Sequence, residues 1–252
     1  MKVTRNYRIF LALAMSAGVL AAADELPKGD TLIDKYVEAT GGKAAYNKVH
    51  TSISTGTLEV MGQKGKLTTY AAEPNKQSVE IAFEGLGNMQ EATNGDIAWS
   101  LSAMQGPRIK EGEEKADAMM QATHNADLHW KDLFVSAETV GVETVDGKEC
   151  YKVVMKRKAG APVTRWFDKD SGLMVKMAVT AKNPMGEFEA TSTFSDYRKE
   201  GDLLVPHKID TQAGPMGYVV TIDSIKSNPE IPADKFAVPA EIKALMDKPA
   251  AK

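Results

Sequence analysis

The chain is almost without cysteine: Cys150 is the only one in 252 residues. One thiol cannot close an intramolecular disulfide or build a cysteine-based metal site. Position 24, where a lipid-anchored exported chain would carry its modified cysteine, is Asp24, which argues against a stable membrane anchor of that kind. Cys150 lies in an alternating run, Lys148 to Lys156, and reads as a small buried residue. Catalytic signatures are missing as well. There is no G-x-S-x-G elbow, no glycine-rich phosphate loop opening a helix and no H-E-x-x-H pair. The histidines are His50, His124, His129 and His207; His124 and His129 stand five apart, off a common helical face, which speaks against a shared metal. Glu111, Glu113 and Glu114 sit where a helix begins and suit its positive end better than they suit a glycosidase pair. An enzyme is therefore the weakest reading, and no catalytic residue, metal or cofactor is nominated.

Two further shortages bear on organisation. No Pro/Ser-rich linker divides the chain, so residues 24–247 are expected to form a single domain, followed by a short disordered tail, 248–252. Long apolar runs are confined to the start. Ile9 to Leu20 is apolar for about a dozen residues, shorter than the roughly 20 needed to span a bilayer. Lys2, Arg5 and Arg8 precede it, and Ala21 and Ala23 form an A-x-A site before Asp24. This is the pattern of a signal peptide over 1–23, cleaved after Ala23 to release an exported protein. Its removal takes away three positive charges and moves the formal charge from -3 to -6. Mild acidity argues against nucleic acid or an anionic bilayer as a general partner.

What the chain does have is alternation. Asp30 begins a helix whose stripe is Leu32, Ile33, Tyr36 and Val37, and Gly41-Gly42 ends it. From Thr51 the period becomes two. Val79, Ile81 and Phe83 alternate with Ser78, Glu80 and Glu84 in the clearest half-buried strand. Asn94-Gly95 marks a hairpin, and Gly106-Pro107 a stop. A second series of strands follows from Thr139 to Lys226. Between the two series, Glu111 to Phe134 has no alternation and is rich in helix formers, with Ala116, Met119, Met120 and Thr123 on one helical face. Arg108 and Arg165 flank it. Either could tie this insertion to the sheet rim by hydrogen bonds to its carbonyls, although a solvated rim arginine is the commoner case.

The expected architecture is mainly β: an open antiparallel half-barrel of about eleven strands, with an N-terminal helix and a central helical lid. So wide a sheet curls and leaves its concave face exposed. The residues assigned to that face are Val79, Ile81, Phe83, Ile97, Trp99, Leu101, Leu173, Val175, Met177, Phe188, Tyr218, Val220 and Ile222, with Met119 and Met120 contributed by the lid. The same set would serve equally as a closed core. The methionines, thirteen in all, favour a surface that adapts to shapeless apolar ligands.

Four stretches carry a resemblance: Tyr36-Val37-Glu38-Ala39-Thr40-Gly41-Gly42; Gly106-Pro107-Arg108; Trp166-Phe167-Asp168 with Gly172-Leu173; and the closing Asn228, Ile231-Pro232, Phe236 and Pro239. In their order they resemble the outer-membrane lipoprotein-sorting family, the LolA/LolB-like carriers. The resemblance implies an unclosed antiparallel barrel plugged by helices, and an apolar cavity for lipid or lipoprotein acyl chains. It also implies a periplasmic carrier that passes its cargo from an inner-membrane donor to an outer-membrane acceptor. The same fold serves regulators, so an envelope-stress or lipoprotein sensor acting through a protein partner is the alternative.

Overall fold

The computed structural model describes residues 25–183 and 186–247. The expected signal peptide and tail, together with Pro184 and Met185, lie outside the described residues. Helix α1 (Gly29–Ala39) buries Leu32, Ile33, Tyr36 and Val37, the stripe that the sequence spacing gives. Asp30 is not the cap; it stands in the first turn, where a carboxylate faces the positive end of the helix dipole. Thr40 closes the helix by donating its hydroxyl to the carbonyl of Tyr36 at 2.8 Å. Gly41 and Gly42 then take φ of 130° and 76°, a region that side chains with a Cβ resist, and the chain re-enters the short helix α2 (Gly42–Tyr46).

The first meander runs β1 (Thr51–Val60), β2 (Gln63–Ala72), β3 (Lys76–Phe83), β4 (Gly87–Thr93), β5 (Ala98–Ser102) and β6 (Gly106–Lys110). Helices α3 (Gly112–Gln121) and α4 (Trp130–Leu133) follow. The second meander runs β7 (Phe134–Val145), β8 (Lys148–Arg157), β9 (Val163–Asp168), β10 (Met174–Asn183), β11 (Gly186–Glu200), β12 (Leu203–Ala213) and β13 (Met216–Ser227). A 3-10 turn at Ala233–Phe236 and helix α5 (Ala240–Met246) complete the described chain.

The described residues form one antiparallel sheet of thirteen strands, in the order β6-β5-β4-β3-β2-β1-β13-β12-β11-β10-β9-β8-β7. Its ends do not meet, so the fold is an open half-barrel. The expectation of about eleven strands was low, and β6 is one strand the sequence concealed. Gly106-Pro107 read as a stop, but the chain only turns at Gly106 and continues along the sheet edge. Pro107 is tolerated there because an edge strand has no neighbour on one side to receive an N–H.

This order fixes the overall curvature. Strands β6 and β7 are the two outer edges, yet only residues 111–133 connect them. Thirteen strands at roughly 4.8 Å spacing would span about 58 Å if flat. Helix α3, at ten residues, covers about 15 Å. The chain after it to β7 adds at most roughly 32 Å even with its loop fully extended, and together they fall short of the flat width. The sheet must curl until its edges approach, and the connecting helices then lie across the mouth. At the centre, the β1–β13 pairing shifts register between Thr55 and Gly56. A Cβ at Gly56 would lie 2.1 Å from the carbonyl oxygen of Thr221, so the irregularity accepts only glycine without backbone movement.

Among the described residues, two cores hold the structure. On the concave side of the second meander, Leu32, Ile33 and Tyr36 of α1 and Trp130 of α4 pack on Phe134, Val153, Met155, Val163, Phe167 and Met174. On the outer side of the first meander, Ile242 of α5 packs on Ala92 and Trp99, with Ile97, Leu101, Ile109 and Leu245 around them. Ile242 and Trp99 are completely buried. Replacing Ile242 with alanine should cost about 2–5 kcal/mol, read as a lower urea midpoint, with the Trp99 near-ultraviolet signal weakening in step.

Candidate functional site: a lidded trough

The concave face of the first meander is not filled. It forms a trough of about 820 Å³ running over β13, β1, β2, β3 and β4, within the range of natural ligand pockets. Strand alternation decides its floor. Val79, Ile81 and Phe83 face it from β3, Leu67 from β2, Leu58 and Val60 from β1, Met89 from β4, and Tyr218, Val220 and Ile222 from β13. Gly65 keeps the floor open here, since a Cβ would meet the ring of Phe83 at 2.9 Å.

Along the strands the trough changes character. Tyr218 pairs with Val60, and Val220 with Leu58; with Phe83 they make one end wholly apolar or aromatic. At the other end, Gln77 pairs with Thr93, Thr93 with Ala98, and Ala98 with Lys110. Ser54 pairs with Thr69, and Val79 with Glu91. Lys110 makes an ion pair with Glu91 across β5. From Gln77 to Phe83 the gradient extends about 20 Å at roughly 3.3 Å per residue.

Helix α3 roofs the polar end. Ala118 and Gln121 contribute to the lining, the hydroxyl of Thr93 donates to Met119 Sδ at 3.2 Å, and Met120 leans on the core of the second meander. None of its residues is fully buried. It is held largely by charge. Arg108 donates from both terminal nitrogens to the two carboxylate oxygens of Glu114 at 2.5 Å; Arg157 of β8 pairs with Asp117 at 2.6 Å. Beyond the helix, Arg165 of β9 pairs with Asp127 at 2.5 Å, and the ring Nε2 of His124 lies 2.5 Å from the carbonyl of Val49. Arg108 and Arg165 thus tie the insertion down, each through a carboxylate of the insertion. Arg157 escaped notice because nothing local distinguishes it from any other strand arginine.

Several residues assigned to the lining lie elsewhere. Ile97, Trp99 and Leu101 point to the outer face and make the core under α5. The hairpin explains this. Its connection is the four-residue Asn94–Ile97, in which the Asn94 side chain accepts from the N–H groups of Asp96 and Ile97, and Thr93 pairs with Ala98. Ala98 and Ser100 therefore inherit the concave face, and the bulky odd-numbered residues are turned outward. Met177 packs against the filled core of the second meander. Leu173 precedes β10 and accepts the N–H of Asp168. Val175 sits where β10 shifts register against β9, and Phe188 on β11 lies outside the trough, beside Gly214. Met119 touches Thr93, and Met120 the neighbouring core, without lining the space themselves. The physical cause is common to most of these: α1 and α4 already occupy the second meander's concave side. Leu58, Val60, Leu67 and Met89, which the sequence reading omitted, could have been found from period-two alternation once the pairing of β1 to β4 was known.

None of the histidines lines the trough, and neither does Cys150. His207 is buried, with Nδ1 2.9 Å from the carbonyl of Ile222 and Nε2 3.1 Å from Glu200, and it does not line the trough. His129 and Asp132 are 3.9 Å apart on the surface. Burial pushes the Cys150 thiol up, away from the reactive thiolate. Among the described residues, no group of three or more His, Cys, Asp or Glu could hold a metal, and no helix is long and apolar enough to cross a membrane.

No family model matches the chain, and no curated protein does. Solved structures do. A LolA superfamily protein from Nitrosomonas europaea superposes with a TM-score of 0.57 at 10% identity, over 84% of this chain and 99% of that one. A DUF1329 family protein from Desulfovibrio piger gives 0.55 at 15% identity, over 84% and 98%. A domain from Vibrio parahaemolyticus, provisionally assigned to outer membrane lipoprotein sorting, gives 0.53 at 11%, over 82% and 95%. The class defined by the fold is the LolA-like open half-barrel.

The clamps set a pH dependence for the lid. Hydrogen bonds from Arg108 hold the Glu114 carboxyl below the ordinary glutamate range. The pair's contribution is complete above that range and is lost as pH falls through the lowered value. Amide exchange in α3, corrected for intrinsic rates, should stay level from pH 7 to about 5 and rise below about 4. Arg157→Ala should raise it already at pH 7 while the sheet amides of β8 to β12 stay protected.

Proposed function

We propose that the protein is a soluble periplasmic carrier that shields lipid or lipoprotein acyl chains in the trough, without covalent chemistry. The observation that carries this reading is an apolar, concave space under a lid fastened by ion pairs and burying no residue completely. Opening such a lid gives up ion pairs and the partly buried Met120, but no fully buried side chain. The likeness to LolA-like structures supports the same reading by analogy of fold. Taking a methylene as about the size of a liquid water, roughly 30 Å³, the trough holds about 27 such units. With the lid in this position, one or two chains fit better than the full tail of a triacylated lipoprotein. Each buried CH₂ is worth about 0.8 kcal/mol, so even one chain is held firmly. Release would require an acceptor at the outer membrane, and loading a donor at the inner one.

An envelope-stress or lipoprotein sensor draws on a different feature. Strand β7 is an unpaired sheet edge that exposes Val135, Val140 and Val142, a place where a partner strand could add. A stoichiometric protein partner, recovered together with an empty trough, would favour that role.

The carrier reading is tested by native mass spectrometry of protein purified from the envelope. Wild type should carry lipid; Val220→Glu and Ala118→Trp, one charging the floor and one filling the space, should lose most of it with their circular dichroism unchanged. An empty wild type, or equal lipid in both folded variants, would overturn it.

A further inference from the structure

One end of the trough is more specific than storage of hydrocarbon needs. Glu91 and Lys110 form their ion pair inside it, with the Lys110 side chain only 13% exposed. Their neighbours are Arg108, which shares the concave face through Ser100, and Glu114 of the lid. Two cations and two anions alternate there, and their charges cancel. Arg108 is committed to Glu114 through both terminal nitrogens, so Lys110 and Glu91 are the pair open to exchange. At the opposite end, Phe83, Leu58 and Tyr218 carry no charge.

Resting on the carrier reading and narrowing its ligand, we infer that the Glu91–Lys110 end is a headgroup site for a zwitterionic amphiphile bearing a phosphate and a primary ammonium. The argument is one of charge balance. A purely anionic head drawn to Lys110 would strip Glu91 of its partner and set two negative charges together in a partly dry site. Removing one member of such a pair is the costly change. An uncharged head would meet a pair already closed and gain nothing. A zwitterion opens the pair and leaves neither residue alone: the Lys110 ammonium donates to the phosphate, and the ligand's ammonium donates to the Glu91 carboxylate. Lysine, a compact point charge, is suited to a single phosphate. The chain then runs down the gradient toward Phe83 and Tyr218.

The test measures binding of three single-chain lipids with the same acyl group to delipidated protein: lysophosphatidylethanolamine, lysophosphatidylglycerol and monoacylglycerol. Wild type should bind the first about tenfold more tightly than either other. Glu91→Gln should bring the zwitterionic and anionic lipids level. Lys110→Met should remove the preference over monoacylglycerol. Should Lys110→Met fail to fold, Glu91→Gln, at a partly exposed carboxylate, carries the test alone. Equal binding of all three lipids by wild type would overturn the headgroup site and leave the carrier standing. Preference for the anionic lipid, or a zwitterion preference that survives both folded variants, would overturn it too. No binding of any lipid would remove the carrier reading and this inference with it.

Discussion

The two outermost strands of this sheet are neighbours in sequence, and that tether governs most of what the molecule can be. Strands β6 and β7 stand at the first and last places of the thirteen-strand order yet are joined through a short helical bridge. A flat sheet is thereby excluded. The curl needed to satisfy the bridge creates a concave side, and the bridge itself becomes the covering of that side. Cavity and lid are thus one geometric fact. Arginines from β6, β8 and β9 hold Glu114, Asp117 and Asp127 of that covering, because α3 buries none of its own residues, while Trp130 of α4 anchors the far end in the core.

The two meanders answer the curvature differently. The second is stabilised from inside, by α1 and α4 against Phe134, Val153, Met155 and Phe167. The first is stabilised from outside, by α5 against Trp99. Bracing the wall from behind keeps its shape without using up the inner surface. An apolar inner surface left open in this way is the condition for holding a guest. The polar residues at one end, arranged in cross-strand register, turn a merely greasy surface into one with direction.

Much of this was visible in the sequence, and the limits were physical. Period-two runs such as Gln77 to Glu84 marked the strands, and the break in alternation after Lys110 marked the bridge, because both signals are local. What stayed hidden depended on pairing between distant strands. The face taken by Trp99 turned on whether the Asn94 hairpin connection held an even or an odd number of residues. The fate of Met177 turned on where α1, over a hundred residues earlier, would dock. Pro107 read as a terminus because proline ends interior strands, and only the sheet order shows that β6 is an edge. The Glu91–Lys110 pair could not be read at all, since nothing in either strand's own pattern points to the other.

The helices at the two ends of the described chain sit on opposite surfaces of the sheet. Helix α1 enters on the hollow side and seals the filled half, while α5 lies against the convex back. The molecule therefore has a front and a rear defined by its own chain direction. Tethered to a bead through the end that follows α5, it would present its opening to solution. Held by the end that precedes α1, it would be gripped by its own stopper.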